Sequence, residues 1–397
     1  MIRRMRSRRL ARAALGLAAA LTLAACTAGG QAKTTTSPQA SVRPSPTRPA
    51  GPLVLDATQA GWRLPTPLQR AVALADGGRL LVLGGLTGAG VSTTAVLTVD
   101  PARGGPTRGP ALSRGVHDAA GALLGGKMIM FGGGAASSVA TVQQAGGGVI
   151  GELPMVRSDL AAATVGSTAY LVGGYDGITP RRDVLATTDG KSFRQVATLP
   201  QGVRYPAVAA LGRTIYVIGG ELASGASTPA IEALDTATGQ ARTLGRLLQA
   251  VSQASAVVLN GQLFVAGGMN GQQPTDKIWR IDPTSGTATS AGLLPYAVAD
   301  AAAAVVGGHG YLVGGTGSGG ATLDTIVTLT ARVASPIASN ASARPGRLAL
   351  GSDPSVLPGP VLIADEDNNQ IRAGLSSPID QAIRAMRTRH ASGPLST

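Results

Sequence analysis

The sequence predicts an all-β chain folded as a six-bladed β-propeller, and three observations carry that prediction. A short apolar run ending in paired glycines recurs six times, at Gly84-Gly85, Gly132-Gly133, Gly173-Gly174, Gly219-Gly220, Gly267-Gly268 and Gly314-Gly315. Successive pairs stand 48, 41, 46, 48 and 47 residues apart, the length of a four-stranded blade rather than of a helical repeat. Composition agrees, because 56 glycines and only 3% aromatic residues in a chain of 397 suit many short strands joined by turns.

Each repeat has one internal order, and each part of it has a physical reason. An Ala/Val-rich segment such as Arg204–Leu211 or Ser252–Leu259 comes first; strands that converge on the axis of a ring need small side chains. A tight turn such as Asn260-Gly261 follows, a strong hairpin signal between two apolar runs. The second strand carries the bulk: Tyr170, Tyr216, Phe264 and Tyr311 each lie three positions before a glycine pair, a fixed phase that predicts packing between blades. After the glycines come a polar loop, a third strand, and turns such as Asp100–Gly104, Asp235–Gly239 and Asp282–Gly286. Asp at the start and Gly at the end suit a type I turn with a left-handed last residue.

One strand precedes the first complete repeat. Leu53–Thr58 leads to Trp62 and Leu64-Pro65, much as Phe193 leads to Leu199-Pro200. A ring completed by its N-terminus needs such a strand, since closure removes exposed sheet edges. The whole pattern, seen best in Gly267–Asp282 and Gly173–Asp183, resembles the kelch repeat over about residues 53–333. The resemblance implies a kelch-type propeller; the family's outer-strand aromatics survive here only as Trp62, Phe193 and Trp279. Seven blades are the alternative count, with half a blade drawn from the C-terminal region.

The N-terminus reads as a lipoprotein signal over residues 1–25. Arginines at 3, 4, 6, 8, 9 and 12 precede the apolar run Ala13–Ala25, which is short for a bilayer span but right for the apolar core of a secretory signal. Leu23-Ala24-Ala25-Cys26 resembles the bacterial lipobox, which implies lipidation of Cys26 and a membrane anchor on the extracytoplasmic face. Residues 26–52 are rich in Ser, Thr and Pro, with too little apolar surface to offset ordering entropy, and read as a tether. Residues 334–397 form an extension in which Leu357–Arg372 resembles one NHL-type repeat and Pro378–Arg389 can be drawn as a short amphipathic helix with a basic tail.

Charge and motifs narrow the function classes. Six of the charges behind the net +13 are the arginines of the signal, which leaves +7, and the other cations are scattered without aromatic stacking partners, which argues against nucleic acid. His117, His309 and His390 share no metal-ligand spacing. The kelch-type galactose oxidases use a cysteine linked to tyrosine beside copper, and Cys26 is the only cysteine here. Thr188–Phe193 resembles a sialidase Asp-box but is one residue short and has no second copy, so an ordinary hairpin turn is the better reading. No cofactor or metal is expected.

The informative positions lie fourteen residues before each glycine pair: Arg70, Asp118, Asp159, Tyr205, Gln253 and Asp300. All are polar although the strand that follows is apolar. In a closed ring they form a collar where first strands enter the central channel, with Arg204 beside it. Such a collar suits a polar ligand, the arginines pairing anions and the aspartates accepting hydrogen bonds; the plainer explanation is that strand starts at a channel mouth are wet. The loops after the glycine pairs, including Tyr175 and Glu221, are a second candidate surface. The reading is therefore a monomeric binding or protein-interaction module for an unknown carbohydrate, peptide or protein. The alternatives are a carbohydrate-active propeller, such as a sugar mutarotase, and a structural envelope protein.

Overall fold

The computed structural model describes residues 51–334; the signal, most of the tether, the NHL-like segment and the C-terminal helix fall outside the described residues. Six four-stranded antiparallel sheets follow one another. The fourth blade is representative, with strands Ala207–Leu211, Thr214–Ile218, Ala230–Asp235 and Ala241–Arg246 paired in sequence order. The sixth differs in its source: Ala302–Val306, His309–Val313 and Ile326–Val333 are joined on the outside by Leu53–Gln59. That strand runs antiparallel to Ile326–Val333, from Leu53 opposite Val333 to Gln59 opposite Val327. Because it completes the sixth sheet, the described residues form six blades with no strand left over for a seventh.

The strand order gives the ring two unlike faces. First strands begin at the collar and end in the hairpins Gly125-Gly126, Gly212-Arg213 and Asn260-Gly261. We call the collar side the rim and the hairpin side the foot. The turns Asp100–Gly104, Asp235–Gly239 and Asp282–Gly286 are also at the foot. Gly104, Gly239 and Gly286 have φ of 66°, 72° and 72°, the left-handed conformation in which a Cβ is costly. Asp282 Oδ1 accepts from the Thr284 and Ser285 amides at 2.8 Å each.

No single core exists. Apolar side chains form separate layers, one in each gap between neighbouring blades. Phe264 is fully buried between the fifth and sixth blades, and Tyr170, Tyr216 and Tyr311 fill other gaps, the role their fixed phase predicts. Burying each such ring contributes about 2–3 kcal/mol.

The glycine pairs are the joints between blades. In every pair the first glycine has φ of 60–65° and the second 98–108°. Gly219 is typical: a Cβ there would stand 2.2 Å from the Val251 carbonyl of the next repeat, while the Gly220 amide donates to that carbonyl at 2.8 Å. The same clasp links Gly85 to Val116, Gly133 to Arg157, Gly174 to Val203, Gly268 to Val298, and Gly315 to Leu68. Each clasped residue lies two positions before a collar residue, so the repeat signal and the candidate site are mechanically connected.

Candidate functional site at the rim

The six counted-back residues occupy one unusual conformation. Arg70, Asp118, Asp159, Tyr205, Gln253 and Asp300 have φ between 52° and 58°, a region that costs a side-chain-bearing residue on the order of 1 kcal/mol. Their peptides are linked in a closed cycle. The Arg70 amide donates to the Asp300 carbonyl (3.0 Å), Asp118 to Arg70 (3.1 Å), Asp159 to Asp118 (2.8 Å), Tyr205 to Asp159 (2.8 Å), Gln253 to Tyr205 (3.0 Å) and Asp300 to Gln253 (2.9 Å). The ring thus satisfies a backbone donor at each first strand's start. All six line one cavity of about 220 Å³ at the axis, together with Ala71, Ala119, Ala161 and Ala254. Below it the channel widens to about 420 Å³ between alanines and valines of the first strands.

The collar is drier than a solvated channel mouth. Side chains of Asp118, Asp159 and Asp300 are only 7%, 4% and 7% exposed, which corrects the expectation that polar residues stand there because the strand starts are wet. The arginines also act differently from expectation, since their partners are the chain's own carboxylates. Arg70 lies 3.1 Å from Asp118 and 3.4 Å from Asp300. Arg204 lies 2.7 Å from Asp159, donates to the Tyr205 hydroxyl at 2.8 Å, and is a loose 3.8 Å from Glu221. Its guanidinium is stacked against Tyr175 and Tyr205, at 4.5 and 4.6 Å. Tyr205 also meets Arg70, at 5.6 Å, from the opposite side of the ring. Gln253 enters by its backbone, and its side-chain amide forms no hydrogen bond with a described residue.

Burial sets the protonation of this cluster. The Asp118 carboxyl is pushed up to about 8 by loss of water; the charges of Asp159 and Asp300 add to this and Arg70 opposes it. Asp159 and Asp300 are raised for the same reason, against the pull of Arg204 and Arg70 respectively. His117, half-buried and 3.7 Å from Asp118, is lowered by burial and by Arg70. At neutral pH the site therefore holds a carboxylic acid, a neutral imidazole and two fixed guanidiniums, a set that can donate and accept protons and hydrogen bonds.

Above the collar the repeat continues as a second tier. The residue before each collar position pairs with the residue after a glycine pair, as in His117 with Gly134 and Arg204 with Glu221. Hydroxyl contacts bridge four of the joints between blades: Ser92 with His117 (2.8 Å), Ser138 with Ser158 (2.9 Å), Ser227 with Ser252 (3.1 Å) and Gln69 with Thr322 (3.1 Å). Two joints break the pattern: Pro180 between the third and fourth blades and Pro274 between the fifth and sixth stand where the hydroxyl would be. At the first of these Arg204, Tyr175 and Glu221 come together.

Sequence counting found the collar but not its company. Tyr175 and Glu221 were visible only as variable loop residues, and Gln69 and His117 only as neighbours; Thr316, whose hydroxyl donates to Gln69 Oε1, was missed. The usable signal was position: Tyr175, Glu221 and Thr316 each directly follow a glycine pair. Among the described residues no group of three His, Cys, Asp or Glu is placed to hold a metal. His309 is exposed at the foot and contacts Thr330 at 3.1 Å. The Asp189 turn is an ordinary hairpin turn, its carboxylate accepting from the Lys191 and Ser192 amides.

Comparisons agree with this architecture. The Kelch motif model matches residues 250–287. No curated protein matches the chain. Among solved structures, that of YjhT superposes with a TM-score of 0.60 at 16% identity, covering 68% of this chain and 99% of its own, a likeness of fold alone. The described chain is a six-bladed β-propeller that carries a Kelch motif at residues 250–287.

Proposed function

We propose that this propeller is a lipid-anchored, extracytoplasmic binding module that takes a small polar ligand, a carbohydrate or a peptide end, at the collar. A kelch propeller is a scaffold for binding, and the site must be argued from its own residues. The observation that carries the reading is the collar itself. Six polar side chains are held on left-handed backbone around one cavity, where glycine would serve the ring at lower strain. Strain that persists at six equivalent positions is best explained by what the side chains do there. The free Gln253 amide and the protonated Asp118 carboxyl offer donors; Glu221, loosely paired, offers an acceptor. Export and anchoring rest on the lipobox-like Leu23–Cys26 sequence.

The test is an array of glycans and peptidoglycan fragments probed with the chain from residue 26 onward and with Asp118→Asn and Gln253→Ala. Loss of a specific signal in both variants, with unchanged melting, supports the collar; retention in both removes it. Acylation of Cys26 is read separately, by the mass of the N-terminal peptide from membranes.

A second reading is favoured by one observation, the carboxyl of Asp118 raised to about 8 inside a cavity. A sugar mutarotase needs an acid to protonate the ring oxygen and a base to take the proton of the anomeric hydroxyl, and Asp118 with Asp159 or Asp300 could fill those roles. Anomer equilibration followed by NMR, faster than buffer in wild type and not in Asp118→Asn, would establish it.

A further inference from the structure

The two faces of the ring differ in what they carry, and the chain enters at the foot. Gln262 Nε2 donates to the Gly51 carbonyl (3.3 Å), its Oε1 accepts from the Leu53 amide (3.1 Å), and Arg280 Nη1 donates to the Leu53 carbonyl (3.2 Å). Both side chains belong to the fifth blade and fix the first described residues beside its foot turn Asp282–Gly286. The chain leaves at the same corner, where the Ala334 amide donates to the Pro52 carbonyl at 2.9 Å. The described chain therefore begins and ends opposite the collar.

The foot also carries more unpaired cations than the rim. Arg79, Lys127, Lys191, Arg194 and Arg242, from the first four blades, are exposed at foot turns and form no ion pair with a described residue. Of the carboxylates there, Asp100 and Asp235 are paired with Arg103 and Arg213, Asp189 and Asp282 accept from the amides of their own turns and stay charged, and Asp76 stands opposite Arg79. At the rim Arg63, Arg181, Arg204 and Lys277 are paired, while Arg108, Arg114 and Arg182 are exposed and form no ion pair with a described residue.

We infer that the foot is a docking surface for an anionic lipid bilayer, so that the propeller sits with its collar directed away from the membrane. The inference rests on the lipid-anchored reading above. One acyl-type anchor gives weak attachment and a basic surface is the usual second contribution, each Lys or Arg near an anionic surface strengthening it within a Debye length. A ligand then reaches the collar from outside the cell without passing the bilayer.

The test uses the chain from residue 26 onward with Cys26→Ser, so that no lipid contributes, in flotation with vesicles of phosphatidylcholine alone or mixed with phosphatidylglycerol. Partition onto the mixed vesicles is expected to fall by about tenfold or more in the triple variant Lys127→Glu, Lys191→Glu, Arg242→Glu. It should be unchanged in the rim triple variant Arg108→Glu, Arg114→Glu, Arg182→Glu, and should vanish in high salt. Equal partition onto neutral vesicles, or equal loss in rim and foot variants, overturns the proposal. Because the probe lacks the acylated thiol, these outcomes do not depend on whether Cys26 is lipidated, and ligand binding at the collar is scored on the array.

Discussion

Gln143 of the second blade and Glu232 of the fourth occupy the same step of the third strand, and the ring treats them in opposite ways. Each lies opposite the residue two before a glycine pair, Met130 and Val217 respectively. Each is buried, at 1% and 3% exposure. Gln143 is fully partnered: its Oε1 accepts from the Ser113 hydroxyl and the Arg114 amide, and its Nε2 donates to the Arg114 carbonyl, all at 3.0 Å. Neither carboxylate oxygen of Glu232 has a partner at hydrogen-bonding geometry. Burial lifts its carboxyl to about 7, with the Gln201 amide and the Arg182 charge holding it down only in part. An inter-blade gap therefore accepts polarity when a neighbouring loop reaches in to meet it, and otherwise favours a neutral acid.

The largest effect should come from breaking the satisfied member. Gln143→Leu leaves the Arg114 amide and carbonyl without their partner and should cost about 3 kcal/mol, read as a lower denaturant midpoint at unchanged m-value. Next is the pH dependence of the unsatisfied member. A carboxyl raised in the folded state contributes most while it is protonated in both states. Wild-type stability should therefore fall as pH rises from about 4.5 to about 7, by about 2 kcal/mol after solvent screening is allowed for. Glu232→Gln should remove that share of the slope in urea titrations at stepped pH. Asp118, raised to about 8, should leave a residual slope that extends further and disappears in Asp118→Asn. His117, lowered by burial, acts oppositely, losing stability as pH falls below its ordinary range.

Replacing the acid with the residue found at the same step elsewhere sharpens the contrast. Leu97 and Leu185 stand there in the first and third blades, and Glu232→Leu should raise stability at pH 8 by about 1–2 kcal/mol while changing little at pH 5. The smallest effect belongs to Trp279, at this step in the fifth blade. Its indole Nε1 is buried without a partner, so Trp279→Phe forfeits no hydrogen bond and should shift the midpoint by less than about 1 kcal/mol. A loss of several kcal/mol there would mean that volume, not polarity, governs this step.

These positions also show where sequence reasoning succeeded and where it stopped. The blade period, the hairpins and the six collar positions were all countable, because the glycine pairs hold one backbone geometry at every joint. Glu232 was not legible. Ala230-Ile231-Glu232-Ala233 reads as a strand with one wet face, whereas both faces of a blade are covered by its neighbours. The internal pairing of Arg70 and Arg204 was hidden for a related reason: Asp118, Asp159 and Asp300 come from other repeats, and Asp300 meets Arg70 only because the ring closes.

The sixth sheet has a consequence for how the protein is made. Leu53–Gln59 pairs with a strand synthesised roughly 270 residues later, so at about 5–20 residues per second it waits on the order of 15–50 s for its neighbour. During translation Leu53 and Leu55, buried at the end, have nowhere to go. The nascent polypeptide is thus most exposed to aggregation through its earliest strand, and chaperone demand should end when Ile326–Val333 emerges.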